Sequence, residues 1–189
     1  MRNRRTPFQK WKFTMLAIFV AWLAVVLIAP LSLPTGSVKD LSGSVGRLDN
    51  PGQEAKMNLF AQAVYTMGDI ECHQIAERSY YLNGNELPIC SRDVGLSIGL
   101  LTGMLIGLLY VRRINPFLLA VGILPMVMDG GLQAISSYQS NNSLRIMTGI
   151  VAGVAVALLL CEFAARYLEV GPDKVANDEE QCKASEVQG

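Results

Sequence analysis

Cys72 and His73 are neighbours, Cys90 follows along the chain, and Asp93 comes three residues after it. Two thiols, an imidazole and a carboxyl therefore share one short polar segment, "ECHQIAERSYYLNGNELPICSRDVG". His73 is the only histidine, and these are two of the four cysteines. Two thiolates with an imidazole and a carboxylate suit Zn²⁺ or another transition metal. The same cysteines suit a Cys72–Cys90 disulfide in an oxidising compartment, or packing alone. Asp93 has a simpler role open to it, since a carboxylate at a helix start satisfies free N–H groups and the helix dipole.

A second set lies further on. In "ILPMVMDGGLQAIS" Pro125, Asp129 and Gln133 are four apart, on one helical face. Asn142, Arg145 and Thr148 repeat at a spacing of three. An Asp at the centre of a membrane span costs on the order of 2.5–3.5 kcal/mol, and such residues mark function. Asp129 can act as a proton acceptor, Arg145 or Arg92 can bind a phosphate or carboxylate, and Gln133 shares their face. The plain alternative is an Arg145–Asp129 ion pair. No nucleotide-binding loop or nucleophile elbow is present.

The elements that must position these residues are membrane spans. The chain has 189 residues, 51% hydrophobic and 17% charged, with sixteen basic and sixteen acidic side chains. That apolar excess points to a membrane protein, and the balanced charge gives no nucleic-acid surface. Phe13 to Leu33 supplies the roughly 20 apolar residues needed to cross a bilayer, and its core is too long for a signal peptide. Val94 to Val111, Pro116 to Ile135 and Leu144 to Leu168 follow.

Basic residues mark the cytoplasmic side. The first twelve residues carry five Lys/Arg and no acid, and the turn "RRIN" at 112–115 is basic as well. Both termini are then cytoplasmic in a multi-pass protein of the cell membrane. The expected divisions are a basic N-terminus (1–12), an anchor (13–33), an extracytoplasmic loop (34–93), a three-helix core (94–168) and a disordered acidic tail (169–189).

Within the loop, Met57, Phe60, Val64 and Met67 are spaced for an amphipathic helix. "RSYYLNGNELPIC" reads as a β-hairpin about Asn83-Gly84. A two-residue turn pairs Leu82 with Asn85 and, counted outward, sets Cys90 opposite Glu77, whereas a three-residue turn sets it opposite Arg78. Either register brings Cys90 back toward Cys72 and His73. In the second span Gly95, Gly99, Gly103 and Gly107 recur every four residues. Such a stripe packs helices closely, either against Gly149 and Gly153 of the fourth span or as a homo-oligomer seam. Glu162 and Arg166 form an i,i+4 pair in the favourable order. The fold class is thus an all-α membrane protein, a four-helix transmembrane bundle whose loop carries an amphipathic helix and a short β-hairpin.

From about Met67 to Ala157 the chain resembles a prokaryotic membrane family known as domain of unknown function 2085. The blocks that carry the resemblance are "CHQIAERS", "LPICSRDVGLSIG", "PMVMDGGLQ" and "NNSLRIMTG". Many relatives have a second cysteine where this chain has Asp93, which implies a C-H…C-x-x-C metal site in them. The family name implies no activity.

The expected function is a membrane enzyme, or enzyme subunit, acting at the outer leaflet on a lipid-linked or other amphiphilic substrate. Cys72, His73, Cys90 and Asp93 would hold the metal, with Asp129, Arg145, Arg92 and Gln133 as the reacting and binding groups. Two alternatives stay open: an ion or solute binding or transport protein, and a disulfide-stapled structural protein without a cofactor.

Overall fold

The computed structural model describes residues 6–72, 75–109 and 114–169. His73, Arg112 and Arg113 of the basic turn, most of the N-terminal basic cluster and the acidic tail lie outside the described residues. Helix α1 spans Pro7–Leu31, α2 Pro51–Glu54, α3 Leu59–Glu71, α4 Ser91–Leu109, α5 Pro116–Val121, α6 Leu124–Ile135 and α7 Asn142–Glu169, with strands β1 (Tyr81–Leu82) and β2 (Asn85–Glu86). Among the described residues, four segments are long and apolar enough to cross a membrane: Pro7–Leu31, Ser91–Leu109, Pro116–Ile135 and Asn142–Leu168.

Helix α1 starts six residues earlier than its apolar run. Thr6 accepts from the Gln9 amide while Gln9 returns a bond to the Thr6 amide, and Pro7 occupies the first helical position. A capping box and an N-terminal proline fix a helix start independently of hydrophobicity. The third span is two helices rather than one. Pro125 has no N–H and its ring would meet the Val121 carbonyl, so the helix stops at Val121 and restarts at Leu124.

The α4–α7 pair is the most extensive helix contact. A Cβ built on Gly103 would lie 2.7 Å from Ala157 Cβ, and one on Gly99 would lie 2.9 Å from the Gly153 Cα. Gly95 faces Ile146 and Gly107 faces Cys161 in the same order, so α4 and α7 run parallel. The glycine face is filled by the chain's own α7, with Gly149 and Gly153 where the spacing placed them. Lys12 of α1 reaches Gly107, near the end of α4, while Val26 packs with Val94 near its start. Helix α1 is thus antiparallel to α4. The end holding the α1–α4 connection (the loop end) gathers the N-termini of α4 and α7 and the C-termini of α1 and α6.

The loop forms a cap on that end. Asn83 and Gly84 have φ of 56° and 71°, the signature of a two-residue I′ turn, and pair Leu82 with Asn85 and Tyr81 with Glu86. The ladder goes only one bond further, from the Leu87 amide to the Tyr80 carbonyl. Beyond it Ala76–Arg78 form a 3₁₀ turn, so the expected Cys90–Glu77 opposition does not occur. Helix α3 is amphipathic, but its buried face is Ala61, Val64, Tyr65 and Gly68 rather than Phe60 and Met67, which are exposed. Small residues admit the end of α1, where Ala29 and Leu33 join the same core. Tyr65 also donates to the Glu86 carbonyl at 2.5 Å.

Candidate functional site

Helix α3 ends at Glu71, and the next residue, Cys72, is buried, its sulfur accepting from the Cys90 amide at 3.2 Å. The Cys90 thiol donates to Asp93 Oδ2 at 3.2 Å. One ligand atom from each of Cys72, Cys90 and Asp93 lies within 4.8 Å of the others. Two thiolates on one tetrahedral zinc, at about 2.3 Å each, stand about 3.8 Å apart, so the three donors need little movement to share an ion. Cys72 and Cys90 are both free thiols. The Cys72 side chain lowers the Cys90 pKa, against burial and the Asp93 charge, which raise it. The Cys90 side chain, burial and the charges of Cys90 and Asp93 all push Cys72 up.

These donors form one wall of a cavity of about 230 Å³, whose other polar lining includes Arg78, Arg92, Gln133 and Arg145. The sites expected from α4, α6 and α7 thus meet the Cys pair in one place. Ser91 helps join the elements, its single hydroxyl proton lying between the Arg78 carbonyl at 2.9 Å and Asn142 Oδ1 at 3.0 Å.

The ion pairing differs from expectation. Asp129 is paired with Arg92, not Arg145. Gln133 and Ser140 also donate to Asp129 Oδ2, each at 3.3 Å, and Tyr138 reaches Oδ1 at 3.5 Å. Arg145 is 4% exposed and donates instead to Asn142 at 3.1 Å and Gln133 Oε1 at 3.5 Å. The reason is lateral: α4 carries Arg92 toward α6, while Arg145 on α7 points into the cavity. Asp129 does not line the cavity and touches it through Arg92.

Three participants carried no signal of their own in the sequence reading. Arg78 falls inside the block "CHQIAERS" but was expected on a strand, and the 3₁₀ turn is what aims it inward. Ser140 and Tyr138 sit in the turn after α6, where polar residues ordinarily face water. Only their proximity to the buried Asp129 gives them a role.

A model of the family described as predicted membrane protein, domain of unknown function 2085, matches residues 72–159. An uncharacterised protein of Methanocaldococcus jannaschii is 31% identical over 103 residues, covering 51% of this chain and 65% of that protein. An uncharacterised protein of Methanothermobacter thermautotrophicus is 33% identical over 91 residues, 47% of this chain and 82% of the relative. This chain therefore spans just under two thirds of the first relative's length. No solved structure matches it. The matched region begins at Cys72 and takes in Cys90, Arg92, Asp93, Asp129, Gln133 and Arg145, every described residue of the cluster the sequence singled out. This chain belongs to the membrane protein family domain of unknown function 2085.

Proposed function

We propose that the protein is a membrane enzyme or enzyme subunit with a metal centre at the loop end of its bundle. Its substrate would be amphiphilic or lipid-linked, reaching the centre from the outer leaflet. The observation that carries this reading is the convergence of Cys72, Cys90 and Asp93 within 4.8 Å on the wall of an arginine-lined cavity. A staple alone has no need of a cavity or of buried cations opposite it. Zinc or a related ion held there would polarise a substrate oxygen or activate water. His73, next in the chain to Cys72, is the fourth donor the sequence supplies. Asp129 serves as a positioning residue that orients Arg92. Placement of the loop end outside the cell rests on the basic N-terminus and the basic turn at 112–115.

Metal analysis of detergent-purified protein, paired with a thiol titration, tests the centre. Cys72→Ser and Cys90→Ser should each lower bound metal by tenfold or more in affinity, His73→Ala should do likewise, and Asp93→Asn should do less. A protein without metal in which Cys72 and Cys90 titrate as a disulfide would overturn the reading in favour of the staple.

A further inference from the structure

The cavity beside the thiols is walled by three guanidinium groups, those of Arg78, Arg92 and Arg145. Burying a cation without a counter-charge is costly, and a fold that keeps one has something for it to meet. The ion pairs among the described residues are Arg47–Asp49, Arg92–Asp129 and Arg166–Glu162. Arg145, 4% exposed, is in none of them, and its partners are the neutral amide oxygens of Asn142 and Gln133. A guanidinium has five N–H donors, so these leave donors over. Arg92 spends Nη2 on Asp129, while its buried Nε has no partner among the described residues. Arg78 is half-buried and has no ion pair among them either. Two carboxyls share the lining, Asp93, which accepts from the Cys90 thiol, and Glu71, which is exposed at the end of α3; neither forms an ion pair with these arginines among the described residues.

The helix directions add to the field. Both α4, at Ser91, and α7, at Asn142, begin at this end, so two long helices turn the positive ends of their dipoles toward it. Three forked cations exceed what the two oxygens of a carboxylate can accept. A tetrahedral oxyanion, with three or four oxygens on different sides, can use them together.

We propose that this cavity binds a phosphate group, held by Arg145, Arg92 and Arg78. This deepens the substrate class of the site described above, but it rests on the arginines rather than on the thiols. The same chemistry can arrive as free phosphate or as a phospholipid headgroup.

The test measures the binding of two probes to the intact chain, with metal content recorded in parallel. One is inorganic phosphate added to detergent-solubilised protein at constant ionic strength. The other is phosphatidic acid in phosphatidylcholine nanodiscs. Either should raise the unfolding midpoint of the wild type, and acetate at equal concentration should not. Response to phosphatidic acid alone assigns a lipid headgroup, whereas response to inorganic phosphate assigns a soluble ester or the free ion. Arg145→Gln should weaken the apparent Kd on the order of ten- to a hundredfold, the loss of a charge-assisted pair. Arg78→Gln should weaken it severalfold without disturbing the fold, because that side chain makes no hydrogen bond among the described residues. Arg166→Gln, at the opposite end, should leave it unchanged. No response to either probe, an equal response to acetate, or full response in both Arg145→Gln and Arg78→Gln would overturn the proposal. A protein that lacks metal yet answers to phosphate would sink the metal centre and leave this one standing.

Discussion

The two ends of the bundle both bury a cation, and they deal with it differently. At the end away from the loop, Lys12 is 6% exposed, donates to the Gly107 carbonyl at 2.8 Å and lies 4.2 Å from the Phe8 ring centroid. It caps the last turn of α4, where the helix dipole favours positive charge. Glu162 and Arg166 close a local pair nearby at 3.2 Å. Among the described residues, the two buried charges at that end, Lys12 and Glu162, each meet a neighbour of the right kind. At the loop end Arg145 is buried as deeply, at the start of a helix rather than its end, where the dipole disfavours it. Its hydrogen bonds go to neutral amides, two other arginines lie nearby, and the Asp129 carboxyl acts on it without pairing to it. Buried charge alone therefore does not mark a site. Charge buried against local electrostatics, beside open volume, is the more selective signal.

The largest expected effect tests whether both ends depend on one contact. Gly103→Leu should destabilise the bundle in detergent by about 3 kcal/mol or more, because a side chain there meets the α7 backbone and Ala157. Leu101→Ala, half-buried, should cost no more than about 1 kcal/mol, since lipid chains replace much of what it touches. Thermal unfolding in detergent reads both. Equal tolerance would mean the α4–α7 contact is loose, and the alignment of α4 with α7 at the cavity would lose its support.

The next largest effect separates the ends. Asp129→Asn removes the only ionic partner of Arg92 among the described residues and should cost about 2 kcal/mol, below the range for a fully buried pair because Arg92 keeps 20% of its side chain exposed. Lys12→Met keeps the bulk and loses one hydrogen bond, so it should cost about 1 kcal/mol. Unfolding midpoints of the two variants decide the order. If Lys12→Met proves the more damaging, the quiet end is the more strained one and the contrast fails.

Much of this was legible in the sequence because it depends on local rules. The turn at Asn83-Gly84 needs two left-handed residues, and the hairpin register follows from it. The glycine stripe identifies its own partner through Gly149 and Gly153. Depth along the bundle also follows from counting, which is why Cys72, Cys90, Arg92, Asp93, Gln133 and Arg145 could be placed at one end. What could not be read is the lateral arrangement. Whether Asp129 meets Arg92 or Arg145 depends on how α4, α6 and α7 are turned about their axes, and the break before Pro125 changes that for α6. The buried face of α3 differs from its apolar spacing for a related reason. Residue size at the α1 contact, not hydrophobicity, selects Ala61 and Gly68 over Phe60 and Met67.

The smallest effect concerns a charge at the loop end that lies outside the cavity. Glu86 is fully buried in the cap; Oε2 accepts from the Leu41 amide at 3.1 Å, while Oε1 has no partner among the described residues. Burial raises its pKa, the Leu41 amide and the Ser79 hydroxyl pull the other way, and the nearby charges of Asp40 and Glu77 add to the rise. A carboxyl whose pKa is raised on folding contributes stability that is present below its unfolded value. That stability is lost as pH climbs through the folded value. Wild type should therefore lose stability relative to Glu86→Gln as pH rises from the ordinary glutamate range upward, and the two should converge in acid. Glutamine keeps an acceptor for the Leu41 amide, so the variant should fold as well as wild type at low pH and unfold at a higher temperature near neutrality. Unfolding midpoints of both proteins across that pH range supply the check. A variant less stable than wild type at neutral pH would show that Glu86 is held there as the anion. The cap, like the cavity, would then contain a charge whose partner matters, and the distinction between the site and its surroundings at the loop end would have to be redrawn around Glu86.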